Sequence, residues 1–571
     1  MAINGERNIR LLRIAGAGTA LILVVTVLRN AWLTDDCYIT FRTVWNLWQG
    51  HGLRWNPIER VQTFTHPLWL GALVPIYGLT GKAWLTAWIA GIGFTSATAL
   101  AIMRFARTPV LGLAGLFLLL SSRAFLDFGT SGLENPLSWL LLVLFVGSLT
   151  RARLQAPPLI VGLLTSLLLL NRLDHLWFVL PVLVVVFCRS DRRGRRLLLL
   201  GGLPLLLWFG FSMAYFGSPL PNAFYAKVLT GFPRPVLLAQ GGRYLVDSLV
   251  NDFATLPIIL LAVALPLHKE HRDLWPLAAG LVVKLFYVLW VGGDFMTGRF
   301  FADPLVYAVA MLITWRGSVK RILPGAIAIL ALAMVHPHHP LKVGPDYYRD
   351  RAGRERELFP AGIVDEKGMA WRRSSLFPLG RTNEAMELEA QLDEQSMFFD
   401  PDELRLQIHV AVGARGYACG PDVHILDRLA ITEPLLARLP AREDLPWRIG
   451  HFFRRVPLGY PQSILQRRNL IDDPDLRQLY DDMVLVTRAP LWSAERWRAI
   501  VRWNTGISGR QVDRAFYRNP PADAQEGDPG LESRSRNEDR VVLPLRVAVL
   551  PGHRKRPSGI LVGGPENPQL R

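Results

Sequence analysis

Two adjacent carboxylates, Asp35 and Asp36, end the first long apolar run, in TDDCYITFRTVWNLWQGHGLRWNPIERVQTFTHPLW (residues 34–69). Carboxylates at an apolar boundary are costly to desolvate, so they call for a partner, an ion or a task. General-base catalysis suits such a pair: one residue takes a proton from an acceptor hydroxyl while its neighbour orients it or binds a metal. Successive helical side chains diverge by about 100°, so the two need not share a role. The plain alternative is a solvated pair at a helix end.

Four further segments could complete a site with them. Glu134, in SSRAFLDFGTSGLENPLSW, precedes an apolar run and could orient a base or accept a sugar hydroxyl. It could equally be an acid favoured by a helix N-terminus, with Pro136 beside it. YFGSPLPNAFYAKV (215–228) breaks a helix with Pro, Gly and Asn and sets Lys227 near an interface. There a lysine can meet a lipid phosphate, or simply snorkel. WVGGDFMTGRFFADP (290–304) turns on two glycines and brings out Asp294 and Arg299. Arg299 could grip a phosphate bidentately, or form a structural ion pair with Asp294. WRIGHFFRRVPLGY (447–460) interleaves Arg448, His451, Arg454 and Arg455 with aromatic residues, which suits lipid headgroups or an anionic or saccharide ligand as well as it suits a packing face. HPHHP, with His336, His338 and His339, resembles a metal tract but reads as a linker because of its prolines.

The elements that must position these groups are apolar helices. Half of the 571 residues are hydrophobic, and the mean hydropathy is +0.22. Long Leu/Val/Ala runs on this scale predict a polytopic α-helical membrane protein. The net charge of +17 lies largely in short loops between these runs, a positive-inside pattern that fits anionic lipid better than nucleic acid. No basic–aromatic nucleic-acid module is visible. Three cysteines, Cys37, Cys188 and Cys419, cannot make a disulfide framework, and Cys188 reads as inert packing in an apolar run. The basic start followed by an apolar run reads as a retained first helix rather than a cleaved leader.

Spans are expected near 11–33, 85–103, 108–121, 136–150, 157–170, 176–188, 197–215, 253–267, 273–291, 302–315 and 321–335. That is about eleven, some of them short. Treating 67–80 as a juxtamembrane or re-entrant helix puts Arg104, Arg107, Arg151, Arg153, RSDRRGRR (189–196), Lys269, Arg272, Arg316, Lys320 and Arg321 on one face, the cytoplasmic one. Asp35, Asp36, Glu134, Asp174 and Asp294 then fall on the opposite face. A membrane domain over 1–335 precedes a polar region over 336–519 and a polar linker and loose tail over 520–571. With an odd number of helices the polar region lies outside the cytoplasm. Gly turns and short β-favouring pieces in AVGARGYACGPDVHILD (411–427), with helical periodicity near 383–395 and 433–440, suggest a mixed α/β domain.

TDDCYITFR, GLRWNPIERVQTFTHPLW, SGLENPL, PLPNAFYAKV, GGDFMTGRFF and GHFFRRVPLGY, in this order over about residues 11–465, resemble the signature segments of the bacterial arabinofuranosyltransferase-type GT-C membrane glycosyltransferases. The resemblance implies a polyprenyl-phosphate-linked sugar donor, with arabinofuranose the sugar, and a cell-envelope glycan acceptor at the outer side of the bacterial cytoplasmic membrane. It implies an inverting transfer with Asp35 or Asp36 as catalytic base. Lys227 and Arg299 would stabilise the departing lipid phosphate, Glu134 would be the third acidic site, and Arg42, Asp294 and His451 would complete substrate binding. A divalent cation, Mg or Mn, is the one cofactor for which the chemistry has a place. FTHPLW carries a histidine where the family more usually has a small residue. Proteins named for flagellar motor control share part of the architecture, which makes a non-enzymatic assembly or motor-associated role the alternative. A transporter fits less well, because transporters gather charge near the bilayer midplane and the acids here sit at one face.

Overall fold

The computed structural model describes residues 2–151, 156–343, 362–376, 404–521 and 524–527. Its first part is a succession of helices: α1 (Ala2–Arg29), α2 (Asp35–Trp48), α3 (Pro67–Thr80), α4 (Ala83–Phe105), α5 (Pro109–Leu120), α6 (Arg123–Phe128), α7 (Asn135–Arg151), α8 (Pro158–Asn171) and α9 (Leu176–Arg189). It continues with α10 (Arg192–Gly201), α11 (Leu203–Phe216), α12 (Asn222–Val228), α13 (Arg234–Asn251), α14 (Thr255–Ala264), α15 (Trp275–Trp290), α16 (Arg299–Leu312) and α17 (Ile322–Ala333). Local chemistry sets several of the starts. The Thr108 hydroxyl accepts the Leu111 N–H ahead of Pro109 at α5, and Ser122 does the same for Phe125 at α6.

Every apolar stretch read as a span contains a helix, but few are long. Three helical stretches, Arg10–Arg29, Ala83–Phe105 and Lys269–Trp290, are long and apolar enough to cross a membrane, or up to five if each bent pair counts as one span. The expected span over 197–215 is two helices, α10 and α11, meeting at 44°. The break falls at Gly201-Gly202-Leu203-Pro204, where Pro204 cannot donate into a continuous helix. Helix α13, not foreseen, meets the α14 segment at 109°. Five more apolar helices have only 10–17 residues, too short to cross about 30 Å of hydrocarbon untilted.

Helix α16 is the axis of the packing, buried from Phe301 to Met311 and enclosed by α5, α6, α7, α14 and α15. The basic loops meet at one end of the bundle. Arg151 donates to the Arg104 carbonyl, the Arg107 N–H reaches the Ile313 carbonyl at 3.1 Å, and Arg316 makes a two-pronged contact to Asp273 at 2.6 and 2.8 Å. Helix α3 lies toward the other end, where its Tyr77 hydroxyl meets that of Tyr417 at 3.2 Å.

Among the described residues the polar region holds one sheet, β1 (Arg405–His409) parallel to β2 (Val423–Asp427) in register from Arg405–Val423 to His409–Asp427, among short helices. It packs into the helical part. Ile363, Trp371 and Tyr417 join the main apolar core, and Ile39, Trp55 and Ala223 share a cluster with Val412, Val423 and Ile425. The helix expected over 433–440 is only a 3₁₀ turn, Leu436–Arg438, bounded by Pro434 and Pro440. The linker expected from 520 begins docked: Glu526 pairs with Arg442 and lies 3.7 Å from Arg428. The periodic stretch 383–395 and the tail after 551 lie outside the described residues. Cys188 is on the surface of α9 rather than in its packing.

Candidate active site

Helix α2 starts at the two aspartates, and their fates differ. The Asp35 carboxylate accepts the backbone N–H groups of Ala414 (2.9 Å) and Gly413 (3.1 Å). A Cβ at Gly413 would lie 1.9 Å from the Asp35 carbonyl oxygen, so only glycine lets the two segments approach this closely. Burial pushes the Asp35 carboxyl up, against the two N–H bonds. The half-buried Asp36 carboxylate takes part in no hydrogen bond or ion pair among the described residues, and its charge is felt by His66, Arg299, Glu366 and Arg448.

Glu134 sits at the centre of a buried ion network just ahead of α7. Its carboxylate meets Arg172 at 2.6 Å, Arg299 at 3.3 Å and His66 at 3.4 Å. Burial alone would raise its pKa, but Arg299, Arg172 and His66 together hold it down to about 2. Arg172 is locked further by Asp174 at 2.9 and 3.1 Å, and Asp174 is also paired with Lys284. Asp303, one turn along α16 from Arg299, accepts from Asn135 at 3.0 Å and lies 3.1 Å from His175. Beside Glu134, the His66 ring reaches the Thr40 hydroxyl at 2.8 Å, and burial lowers its pKa.

Arg299 is held more loosely than Arg172. Its contacts to Asp294 (3.4 Å) and Glu134 (3.3 Å) are long, and its buried Nε has no hydrogen-bond partner among the described residues. The GGD turn that presents Asp294 needs Gly292 and Gly293 at φ +88° and +76°, a region that side chains with a Cβ rarely enter. Burial raises the Asp294 carboxyl, opposed by Arg299 and Lys227. Lys227, on α12, runs beside Gly450, where a Cβ would meet its Nζ at 3.5 Å, and pairs with no acid among the described residues.

The polar region closes the site over these groups. Its α18 (Glu366–Ser374) begins with Glu366, which accepts from Thr34 at 3.2 Å. Burial, with Asp36 and Asp35 adding to it, pushes the Glu366 carboxyl up to about 8. Val364 bridges to the Asp294 loop, its N–H on the Phe295 carbonyl at 2.6 Å and its carbonyl accepting from Thr297 at 2.9 Å. Arg448 lies over the Phe295 ring at 4.7 Å, and the His451 ring meets Phe295 edge-on at 4.3 Å. Burial, then Arg448 and Lys227, keeps His451 well below the usual imidazole range.

Asp36, Glu134, Lys227, Asp294, Arg299 and His451 therefore gather in one place, while Arg42 does not join them. The Arg42 guanidinium is buried against Trp55 at 4.5 Å and donates to the carbonyls of Trp55 (2.8 Å), Val423 (2.8 Å) and Gly416. It clasps α2 to the polar region and has no face for a substrate. Arg454 is likewise consumed by three carbonyls, of Ala226, Leu439 and Phe452. Of the HPHHP histidines, His339 is buried with its Nε2 3.4 Å from the Ser121 carbonyl, and none belongs to a cluster of metal-ligating groups among the described residues.

Sequence reasoning missed Arg172, Lys284, Asp303, His66 and Glu366. Ionisable residues inside apolar runs, as in LLLLNRLDHLW, were a usable signal for the first three. Glu366 stands in a polar stretch and offered none.

The chain is 31% identical to a terminal β-(1→2)-arabinofuranosyltransferase of Corynebacterium glutamicum over 559 residues, covering 79% of each protein. It is 26% identical over 336 residues to a terminal β-(1→2)-arabinofuranosyltransferase of Mycobacterium tuberculosis, covering 49% of this chain and 52% of that protein. A phosphoglycerol transferase I of Citrobacter koseri is similar over a short stretch, 33% identical across 107 residues and 14% of its length. No family model matches the chain. No solved structure matches it either.

Proposed function

Since this chain belongs to the family of terminal β-(1→2)-arabinofuranosyltransferases, which are glycosyltransferases, we propose that it transfers arabinofuranose from a polyprenyl-phosphate donor to a cell-envelope glycan. The transfer takes place at the outer side of the bacterial cytoplasmic membrane, at the end of the bundle that carries the acids. The observation that carries this reading is the half-buried Asp36 carboxylate, unpaired among the described residues and within electrostatic reach of Arg299 and Arg448.

Asp36 acts as the general base, taking the proton of the acceptor hydroxyl as its oxygen attacks the anomeric carbon. Attack from the face opposite the phosphate inverts that carbon. The departing phosphate meets Arg299, whose long contacts and orphan Nε leave donors for an oxyanion, with Lys227 beside it. Glu134 and Arg172 are positioning residues: they hold Arg299 in place and touch no reacting atom. Asp35 fixes the start of α2. The prenyl chain stays among the apolar helices while the sugar reaches the polar region.

The site does not fit a resident divalent cation. No cluster of three metal-ligating groups among the described residues includes Asp36 or Glu366. The Glu366 carboxyl, raised to about 8, is neutral at pH 7 and so a poor ligand, while Asp36 keeps its lone pair for the acceptor proton.

The test is transfer from synthetic polyprenyl-phosphoryl arabinofuranose to an arabinan oligosaccharide by purified protein. Wild type should turn over, and Asp36→Asn should bind donor without transferring. A folded wild type inactive across several lipid-linked sugars and acceptors would favour a non-enzymatic assembly role instead.

A further inference from the structure

Between the 51–66 loop and the polar region lies a second buried cluster that the transfer site does not use. Glu59, His424 and Glu433 are at most 1% exposed, and one ligand atom from each lies within 4.8 Å of the other two. His424 Nε2 is 3.3 Å from Glu433 Oε1 and 4.0 Å from Glu59 Oε1. The shorter separation matches a tetrahedral edge, about 3.3–3.6 Å at bonds of about 2.0–2.2 Å, and the longer one needs Glu59 to draw in by a few tenths of an ångström.

The hydrogen-bond inventory is short of donors at this point. The Asn56 amide nitrogen has two hydrogens for the Ile425 carbonyl (3.2 Å), Glu59 Oε1 (3.4 Å) and, in the tautomer with Nδ1 protonated, His424 Nε2 (3.3 Å). Asn56 cannot turn over without losing the Ile425 N–H, which its oxygen accepts at 3.2 Å. Glu433 Oε1, fully buried, makes no hydrogen bond among the described residues, although it lies 3.3 Å from His424 Nε2. With Nδ1 carrying the ring proton, as a metal at Nε2 requires, three lone pairs converge on too few protons, and burial makes each unmet acceptor costly.

The outer atoms of the same carboxylates are served. The Tyr460 hydroxyl donates to Glu433 Oε2 at 2.6 Å, and Arg488 reaches Glu59 Oε2 at 3.5 Å. For the two carboxylates, orienting partners behind and bare lone pairs in front are the arrangement of a metal site; His424 Nδ1, behind the third ligand, has no hydrogen-bond partner among the described residues. Asp427, also buried, adds a third acid nearby, its oxygens on the N–H groups of Leu429 and Thr432. Arg488 is the one cation in an ion pair with this group among the described residues.

We infer that Glu59, His424 and Glu433 bind a divalent transition-metal ion, Zn²⁺ by its affinity for mixed nitrogen and oxygen ligands, which staples the 51–66 loop to β2. The site is separate from the Asp36 site and does not depend on the transfer reading.

The full-length protein, purified without a polyhistidine tag, is stripped with a chelator, reloaded with Zn²⁺ and dialysed, and its metal is measured by mass spectrometry. Wild type and Asp36→Asn should each retain about one equivalent that a chelator removes with a fall in Tm, while Glu433→Gln and His424→Gln retain at least about tenfold less. Co²⁺ loaded into the stripped wild type should show visible d–d bands that Zn²⁺ abolishes, a readout that stands even if the variants misfold. Stripped wild type that takes up neither ion would overturn the site. So would folded Glu433→Gln and His424→Gln variants with wild-type metal content, and loss of the ion in Asp36→Asn alone would move it to the transfer site.

Discussion

At the scale of residues, the contrast between Asp35 and Asp36 is the sharpest guide to chemistry. Asp36→Asn should lower transfer by about 10²–10⁴-fold with the fold unchanged, the usual contribution of a general base. Asp35→Asn should act through thermal stability, because the lost carboxylate charge weakens the tie to Gly413 and Ala414; a calorimetric Tm beside kcat separates the two. Glu366 gives a pH signature. Its carboxyl, raised to about 8, is neutral at pH 7 and ionises above, adding a negative charge beside Asp36. A pH–rate profile should therefore lose its inflection near 8 in Glu366→Gln; a Glu366→Gln profile identical to wild type would count against this placement. The acids at loop starts were legible because polar residues bounding apolar runs are conspicuous. The division of labour between Asp35 and Asp36 was not legible, since it is made by Gly413, a residue 378 positions away.

At the scale of elements, α2 is held from outside. Replacing Arg42 by Met would take the donor from the buried carbonyls of Gly416 and Val423, while that of Trp55 keeps the Asn46 amide at 3.0 Å. At about 1–3 kcal/mol for an unmet buried group, partly relieved by relaxation, a loss of about 2–5 kcal/mol is expected. Denaturant unfolding in detergent checks it, and KM for the donor should stay near wild type in the folded fraction. Helix existence was legible wherever Leu, Val and Ala run together. Helix continuity was not: the α10–α11 bend turns on GGLP within one apolar stretch. Helix α13 escaped notice because Gln240, Gly241, Gly242, Arg243 and Asp247 dilute its hydropathy.

At the scale of the whole molecule, the Glu134 network joins the segments that carry His66, Arg172 and Arg299. The Glu134 pKa is depressed from 4.5 to about 2, so its ionisation stabilises the fold above the unfolded value, and this stability is lost as the pH falls from about 4.5 through 2. The loss is on the order of 3 kcal/mol, and acid unfolding of Glu134→Gln should lack that part of the transition. At neutral pH the same variant should be less stable by about 3–5 kcal/mol, since it leaves buried arginine charge uncompensated. That the acids cluster away from the arginine-rich loops was legible from the charge alternation between helices. The way the polar region shares cores with the helices was not, because pairing between distant segments leaves no local pattern.

The long reach of these clasps bears on the order in which the molecule is made. Arg42 meets Val423 across 381 positions, and Lys367 meets Asp127 across 240. At roughly 5–20 residues per second of synthesis, α2 waits about 20–80 s for the segment that fixes its first turn. During that interval a nascent chain has its apolar helices and the Glu134 network but an unanchored Asp35. Maturation of the centre is thus a late event, and a ribosome stalled before residue 413 would yield a protein that is helical and membrane-bound yet has no finished site.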